Sequence, residues 1–359
     1  MNQAAFRRLI SDPKPSLRQR VARAGLQILS VPYRWAVGLR NWAYDRSWLR
    51  QHSAGVKVLS VGNLTAGGTG KTPMVIWVCR QLQQWGYHPA VLTRGYRTTA
   101  GKLTDEPAIV LKNCPEVKVV VNPDRVEGAR RAVGEYGADV LVLDDGFQHR
   151  RLRRDLDILV IDATCPFGYR RMLPAGLLRE PITGISRAQA AVITRSEQVK
   201  LEQIEDLVRQ IQDLHPGIAI GVAANRHPCV RLLREPEMPT EALAGKKVFA
   251  FCGIGNPEPF YRQLRQYGAE LVGTVTFDDH HDYSDAEVYS LYDQAESVGA
   301  ELMLTTQKDW VKSALLSLEG RSVHFGYLPM ELVLIEGADI IRGLIRDCVG
   351  GPAQQQGSM

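Results

Sequence analysis

Lys71 and Thr72 close the run Thr65-Ala66-Gly67-Gly68-Thr69-Gly70-Lys71-Thr72, whose residue types and spacing are those of a phosphate cradle. Glycines let successive backbone N–H groups converge on phosphate oxygens, and the amino terminus of a helix adds its partial positive charge. A lysine at this position reaches the β- and γ-phosphates of a nucleoside triphosphate, and the hydroxyl after it is a ligand type for Mg²⁺. One departure from G-x-x-x-x-G-K-[ST] stands at Thr65, where the first glycine belongs. A second chemical signal is Asp144-Asp145-Gly146, which ends the apolar run 139–143. A strand that delivers carboxylates to the sheet edge where the cradle opens holds Mg²⁺ directly or through water. Together the two segments predict binding of ATP with Mg²⁺.

Such residues need a strand before the loop and a helix after it. Residues 56–61 are β-branched and apolar enough for a buried strand, and residues 73–82 are apolar at helical spacing, closed by Gly86. Pro73 fits because first-turn N–H groups have no intrahelical partner. Further strands are read at 89–93, 108–111, 117–121, 139–143, 157–161 and 190–194, with helices at 124–136 and 197–214. Strands alternating with helices predict an α/β fold, a P-loop-type, mostly parallel sheet with helices on both faces. A second, smaller α/β unit opens at 247–251 and closes with a helix at 336–348. The chain therefore divides into a basic arm (1–50), a P-loop core (51–217), a connector rich in Pro, Glu and Arg (218–245), the second unit (246–349) and a polar tail (350–359) expected to be disordered.

Hydrophobic content of 45% and charged content of 23% are those of an ordinary globular protein. The six cysteines are scattered without a C-x-x-C pair, which argues for a reducing compartment and against a structural zinc site. Net charge is +5, yet residues 1–50 hold ten Arg or Lys against two Asp, an excess of eight over a body that is slightly acidic. The arm also carries Trp35, Trp42 and Trp48. On a helical wheel Trp35, Leu39, Trp42 and Leu49 share one face, Val37, Tyr44 and Trp48 a second, and Arg34, Arg40 and Asn41 lie between. Two apolar faces suit an interfacial helix that lies on an anionic membrane surface while touching its own protein. No apolar run approaches the ~20 residues of a membrane span, and no nucleic-acid-binding module accompanies the charge, so nucleic acid is not expected as a partner.

The segments in order resemble one family. Ser60-Val61-Gly62-Asn63-Leu64 leading into the cradle, Asp144-Asp145-Gly146-Phe147-Gln148-His149 followed by Arg154-Asp155-Leu156-Asp157, and Leu173-Pro174-Ala175-Gly176 with Leu178-Arg179-Glu180-Pro181 are similar to segments of the tetraacyldisaccharide 4′-kinases of lipid A biosynthesis. Arg94-Gly95-Tyr96, Asp105-Glu106-Pro107, Asp279-His280 and Lys308-Asp309 match in the same order, so the likeness runs from about residue 25 to 345. That family tolerates a small hydroxyl residue at the position of Thr65. The resemblance implies transfer of the γ-phosphoryl of ATP to the 4′-hydroxyl of a tetraacylated glucosamine disaccharide 1-phosphate. It implies a peripheral enzyme at the cytoplasmic face of the inner membrane; a monomer is expected.

The resemblance also assigns roles. Asp105 becomes the base that takes the hydroxyl proton, paired with His280, while Lys71 acts on the transferring phosphates. Thr72, Asp144 and Asp145 become the metal site, and Arg125, Gln148, Arg179, Glu180 and Asp279 substrate or phosphate contacts. The dense run Arg150, Arg151, Arg153 and Arg154 is either a site for the 1-phosphate or a solvated basic face. The cluster Asp278-Asp279-His280-His281-Asp282 carries a rival reading as a metal site, and Asp309 one as a helix-start charge. From another class, a membrane-associated ATPase switch of the deviant-Walker type requires a signature lysine where this chain has Ala66.

Overall fold

The structure is a computed structural model that describes residues 6, 9–12, 14–95, 105–233, 235–279, 281–313 and 322–350. The chain opens with a long helix, α1 (Leu17–Asp45), capped by Ser16 and containing Pro32. There follow β1 (Lys57–Gly62), α2 (Lys71–Gln84), β2 (Pro89–Thr93), α3 (Asp105–Asn113), β3 (Lys118–Val121), α4 (Arg125–Gly134) and β4 (Val140–Asp144). Next come β5 (Leu156–Asp162), β6 (Ala190–Thr194), α5 (Leu201–Leu214) and β7 (Ala219–Arg226). The second unit holds β8 (Cys229–Leu232), β9 (Met238–Pro239), β10 (Lys247–Cys252), α6 (Glu258–Gln266), β11 (Glu270–Thr276), α7 (Asp285–Ser297), β12 (Leu302–Thr306), α8 (Gln307–Ser313) and β13 (His324–Leu328). The chain ends with β14 (Glu331–Glu336) and α9 (Ala338–Val349).

Two compact units result, one of residues 1–225 with 332–359, the other Arg226–Glu331. The first is built on an eight-stranded sheet of order β14-β7-β6-β5-β1-β4-β2-β3, parallel from β7 through β3. Alternation along the strands feeds two faces. Leu59, Val61, Val140 and Val142 turn to the core that takes Met74, Val75 and Val78 of α2, while Val58, Leu141 and Leu143 turn to the core under α4. The register pairs Val61 of β1 with Asp144 of β4, so the cradle and the Asp pair leave adjacent strands at the same level. That juxtaposition at the carboxyl edge of a parallel sheet is where α/β folds place ligands.

The second unit is a six-stranded sheet of order β11-β10-β12-β13-β8-β9, parallel except at β8 and β9. Its cores gather Phe249, Phe251, Tyr292 and Phe325 on one side and Ala250, Phe260 and Leu264 on the other.

Three sequence readings change. Residues 108–111, read as a strand, lie inside α3; an apolar run of four does not distinguish a strand from a buried helical turn. The connector 218–245 contains β7, which joins the first sheet, and β8 and β9, which join the second. Residues 332–349 return to the first unit: Ile341 and Ile345 of α9 are fully buried in the core that also holds α2. Arg342 donates to Gln81 (3.0 Å) and lies over Trp77, and the Tyr87 hydroxyl donates to the Val349 carbonyl (3.0 Å). Tail residues 351–359 lie outside the described residues.

Candidate active site

A loop can offer its N–H groups to phosphate only if its carbonyls are turned away and satisfied elsewhere. Here each carbonyl from Gly67 to Gly70 has a partner. Lys71 Nζ lies 3.5 Å from the Gly67 oxygen, Arg195 donates to Gly68 (2.7 Å), the Thr194 hydroxyl donates to Thr69 (2.8 Å), and the Met74 N–H donates to Gly70 (3.3 Å). Arg195 also pairs with Asp162 at the end of β5, so the ends of β5 and β6 hold the loop from behind. Gly70 caps α2 at φ +87°, a conformation that a side chain would strain. Thr65, at the position of the missing glycine, is buried and bridges to Leu178, while the Ala66 N–H donates to the Leu177 carbonyl (2.7 Å). The backbone around the residue that replaces glycine thus ties the loop to segment 173–180.

The two carboxylates after β4 sit in opposite environments. Asp144 is 6% exposed; burial raises its carboxyl to about 6, with Asp145 and Glu106 adding to the effect and Lys71 and Arg125 opposing it. Its Oδ1 is buried and has no hydrogen-bond partner. Asp145 stands in the left-handed region at φ 55°, a strained conformation of the kind found at functional sites. Burial alone would raise its carboxyl too, but Lys71 at 3.5 Å and Arg179, which donates to both oxygens at 2.8 Å, outweigh burial and hold it below the usual range. Arg125, the first residue of α4, is buried with Nη1 on the Asn122 carbonyl (2.7 Å) and Nη2 near the Asp144 carbonyl (3.4 Å); desolvation lowers it to about 10. His149 is lowered to about 4 by burial and then by Arg125, so it is neutral at physiological pH.

Around this pair runs a hydrogen-bonded ring. Gln148 donates to the Asn63 carbonyl and to Glu180 Oε1, both at 2.8 Å, and accepts from Arg179 (3.4 Å). Glu180 is 1% exposed and also accepts from the charged Arg187 (2.8 Å). Asn63 in turn donates to the Thr69 hydroxyl (2.9 Å), closing the ring on the cradle.

The fold thus gathers Lys71, Asp144, Asp145, Arg125, Gln148, Arg179 and Glu180 in one place, with Thr72 as the second helical residue of α2. The side chain of Asp105 and all of His280 lie outside the described residues. In the second unit Asp279 pairs with Lys308 (3.0 Å), and Asp309 is fully buried, accepting from Tyr283 (3.0 Å) and Thr306 (2.6 Å). No group of three or more metal-ligating side chains converges among the described residues. Three of the four arginines in the run are ion-paired: Arg150 with Asp45 (2.6 Å), Arg151 with Asp124 (2.9 Å) and Arg154 with Asp157 (3.0 Å). The residues missed in sequence are Asn63, Thr194 and Arg195, which hold the loop, and Glu106, which faces Asp144. Asn63 and Glu106 had a sequence signal, the first its place in the segment leading into the cradle, the second its place beside Asp105.

The partnered loop carbonyls, the lysine on the loop and the orphaned carboxylate oxygen are the parts of a P-loop nucleotide-binding protein. The family model described as tetraacyldisaccharide-1-P 4′-kinase matches residues 22–347. A tetraacyldisaccharide 4′-kinase of Syntrophus aciditrophicus is 38% identical over 91% of this chain and 93% of its own length. That of Geobacter metallireducens is 37% identical over 88% of this chain and 95% of its own. A crystal structure of "apo" form LpxK from Aquifex aeolicus in complex with ATP superposes with a TM-score of 0.72 at 31% identity, over 91% of this chain and 99% of that one. The chain belongs to the tetraacyldisaccharide-1-P 4′-kinase family and is an ATP-dependent kinase of the lipid A precursor.

Proposed function

We propose that the cradle 65–72 holds the phosphates of ATP and that Lys71, now resting against Asp145, moves to the transferring phosphoryl group. The single observation that carries this reading is the orphaned Oδ1 of Asp144 beside Lys71 at the mouth of a loop whose carbonyls from Gly67 to Gly70 all have partners. A buried carboxylate oxygen without a donor fits a hard cation; Thr72 and Asp144 would hold Mg²⁺, with Asp145 beside them. When bound, Mg²⁺ neutralises phosphate charge. Arg125 and Arg179 add fixed positive charge at the same edge, where developing charge on the transferred group is stabilised without reorganisation. The acceptor is the 4′-hydroxyl of the tetraacylated disaccharide 1-phosphate, and its proton goes to Asp105, with His280 as partner, the roles the family resemblance names.

A lipid acceptor accounts for α1. Leu17, Val21, Ile28, Trp35, Leu39 and Trp48 are all more than half exposed, Trp35 at 75%, although no described helix is long and apolar enough to cross a membrane. We read this helix as seated on the anionic cytoplasmic face of the inner membrane, on a monomeric enzyme.

The test is transfer of labelled phosphate from ATP to tetraacyldisaccharide 1-phosphate in mixed micelles. Lys71→Ala should lower kcat by roughly 10²-fold or more, the scale of losing one dedicated transition-state donor. Near-normal turnover by that variant would remove the loop from the mechanism. ATP turnover that needs no acceptor would favour the ATPase switch, a reading that Ala66 already disfavours.

A further inference from the structure

Helix α1 sends three polar side chains into the loops of the active site. The Tyr33 hydroxyl donates to the Arg179 carbonyl (2.8 Å), Arg40 donates to the Gln148 carbonyl (2.5 Å), and the Asn41 amide donates to Glu180 Oε2 (3.1 Å). The three receivers are the residues that build the surroundings of Asp145. Arg179 grips both of its oxygens, Gln148 accepts from Arg179, and Glu180 accepts from Gln148. Asn41 is itself fixed, because its carbonyl accepts from Arg150 (3.0 Å), which is ion-paired with Asp45 and lies over the Tyr44 ring.

A helix that merely braced the fold would bury apolar side chains. No residue of α1 is fully buried, and its apolar contact with the core comes from the half-buried Tyr33 and Val37. Its attachments are mainly polar, and three of them, from Tyr33, Arg40 and Asn41, end on this ring. Glu180 is the place where the attachment acts, since a carboxylate 1% exposed is held in place only by the donors that surround it. Its donors are Gln148, Arg187 and Asn41, and Asn41 is the one that comes from α1.

We infer that Asn41 is a positioning residue for phosphoryl transfer: through Glu180 and Gln148 it sets the Arg179 guanidinium on Asp145, and so the carboxylate beside Lys71. This assignment depends on Lys71 and Asp145 forming the transfer site. The effect of Asn41 travels through Glu180.

The full-length enzyme is assayed in mixed micelles with ATP and the tetraacylated acceptor. Asn41→Leu, close in size but without a donor, should lower kcat about tenfold, the usual scale for a residue that orients a functional group, with KM for ATP within about twofold of wild type. Flotation with anionic vesicles should be unchanged. In a double-mutant cycle, adding Asn41→Leu to Glu180→Gln should cost no more than about twofold beyond Glu180→Gln alone, because residues acting in series are non-additive. Wild-type kcat in Asn41→Leu, or losses that multiply fully in the double variant, would overturn the assignment. If Asn41→Leu loses its cooperative melting transition, the isosteric Asn41→Asp sets an anion against Glu180 and should show the same drop in kcat; full activity there also overturns it. Failure of the transfer-site reading is separately visible as retained turnover in Lys71→Ala.

Discussion

Asp144 and Asp145 are neighbours in sequence and opposites in behaviour. The first is buried with its carboxyl raised to about 6, while the second is held ionised by Lys71 and Arg179. A raised folded-state carboxyl favours folding below the unfolded value near 4, and that contribution is lost as pH climbs through about 6. The loss is of the order of 3 kcal/mol for a shift of this size. Asp144→Asn should therefore melt at least roughly 5 °C above wild type at pH 8 and nearly level with it at pH 4, without added nucleotide or metal. Phosphoryl transfer by that variant should collapse. Calorimetric scans at the two pH values check the first claim; a variant less stable than wild type at pH 8 would mean that the Asp144 charge is compensated. Because a metal needs the ionised carboxylate, the Mg²⁺ concentration for half-maximal activity should rise as pH falls below about 6. Spacing in the sequence located both carboxylates at a strand end. It could not say which one is desolvated, since that depends on Arg125 and Arg179 arriving from elsewhere in the chain.

At the scale of elements, α1 and α9 carry the main surprises. Hydrophobic periodicity located both helices, but their partners are distant in sequence. Ile345 of α9 is fully buried in the core beneath the cradle helix α2. Ile345→Ala should cost roughly 2–5 kcal/mol through lost burial and the cavity left behind. Thermal unfolding should register that loss, and ATP should protect less because the weakened core supports the P-loop helix. A melting temperature within a degree of wild type would show that α9 contributes little there. For α1 the wheel separated two apolar faces, and the structure keeps only part of that division. Trp35 and Leu39 of the first face are exposed, and Trp48 of the second lies past the end of α1, 73% exposed and packed edge-on against Trp42 of the first. The intervening Arg40 and Asn41, read as a polar seam, are the residues that reach the site.

Across the whole molecule charge is unevenly spread, with an excess of eight positive charges in the first fifty residues. Some of that charge is spent inside the protein: Arg23 donates to the Leu9 and Asp12 carbonyls, and Arg40 to Gln148. The remainder is available to an anionic surface at about 1 kcal/mol for each basic residue that comes near it. Trp35→Ser with Trp42→Ser should reduce flotation with anionic vesicles and raise the apparent KM for the lipid acceptor, leaving ATP affinity unchanged. High salt should weaken wild-type flotation, because attraction between exposed charges is screened beyond a Debye length of about 8–10 Å. Undiminished flotation of the double variant would make α1 an internal fitting alone.

The sequence by itself determined the chemistry of the cradle, the carboxylate pair at a strand end and the α/β class, because each rests on local spacing: a turn, a period of two, a period of 3.6. It also determined the basic, tryptophan-bearing arm, which is a matter of composition. Tertiary structure decided what distance along the chain conceals. Asn63, Thr194 and Arg195 hold the loop across strand ends, Thr65 is anchored by Leu178, and Asn41 meets Glu180 over a separation of 139 positions. The arginine run after Asp145 reads in one dimension either as a phosphate site or as a solvated basic face, and three of its members pair with Asp45, Asp124 and Asp157. Hydrogen-bond partners and desolvation arise only when remote segments pack, so no periodicity records them.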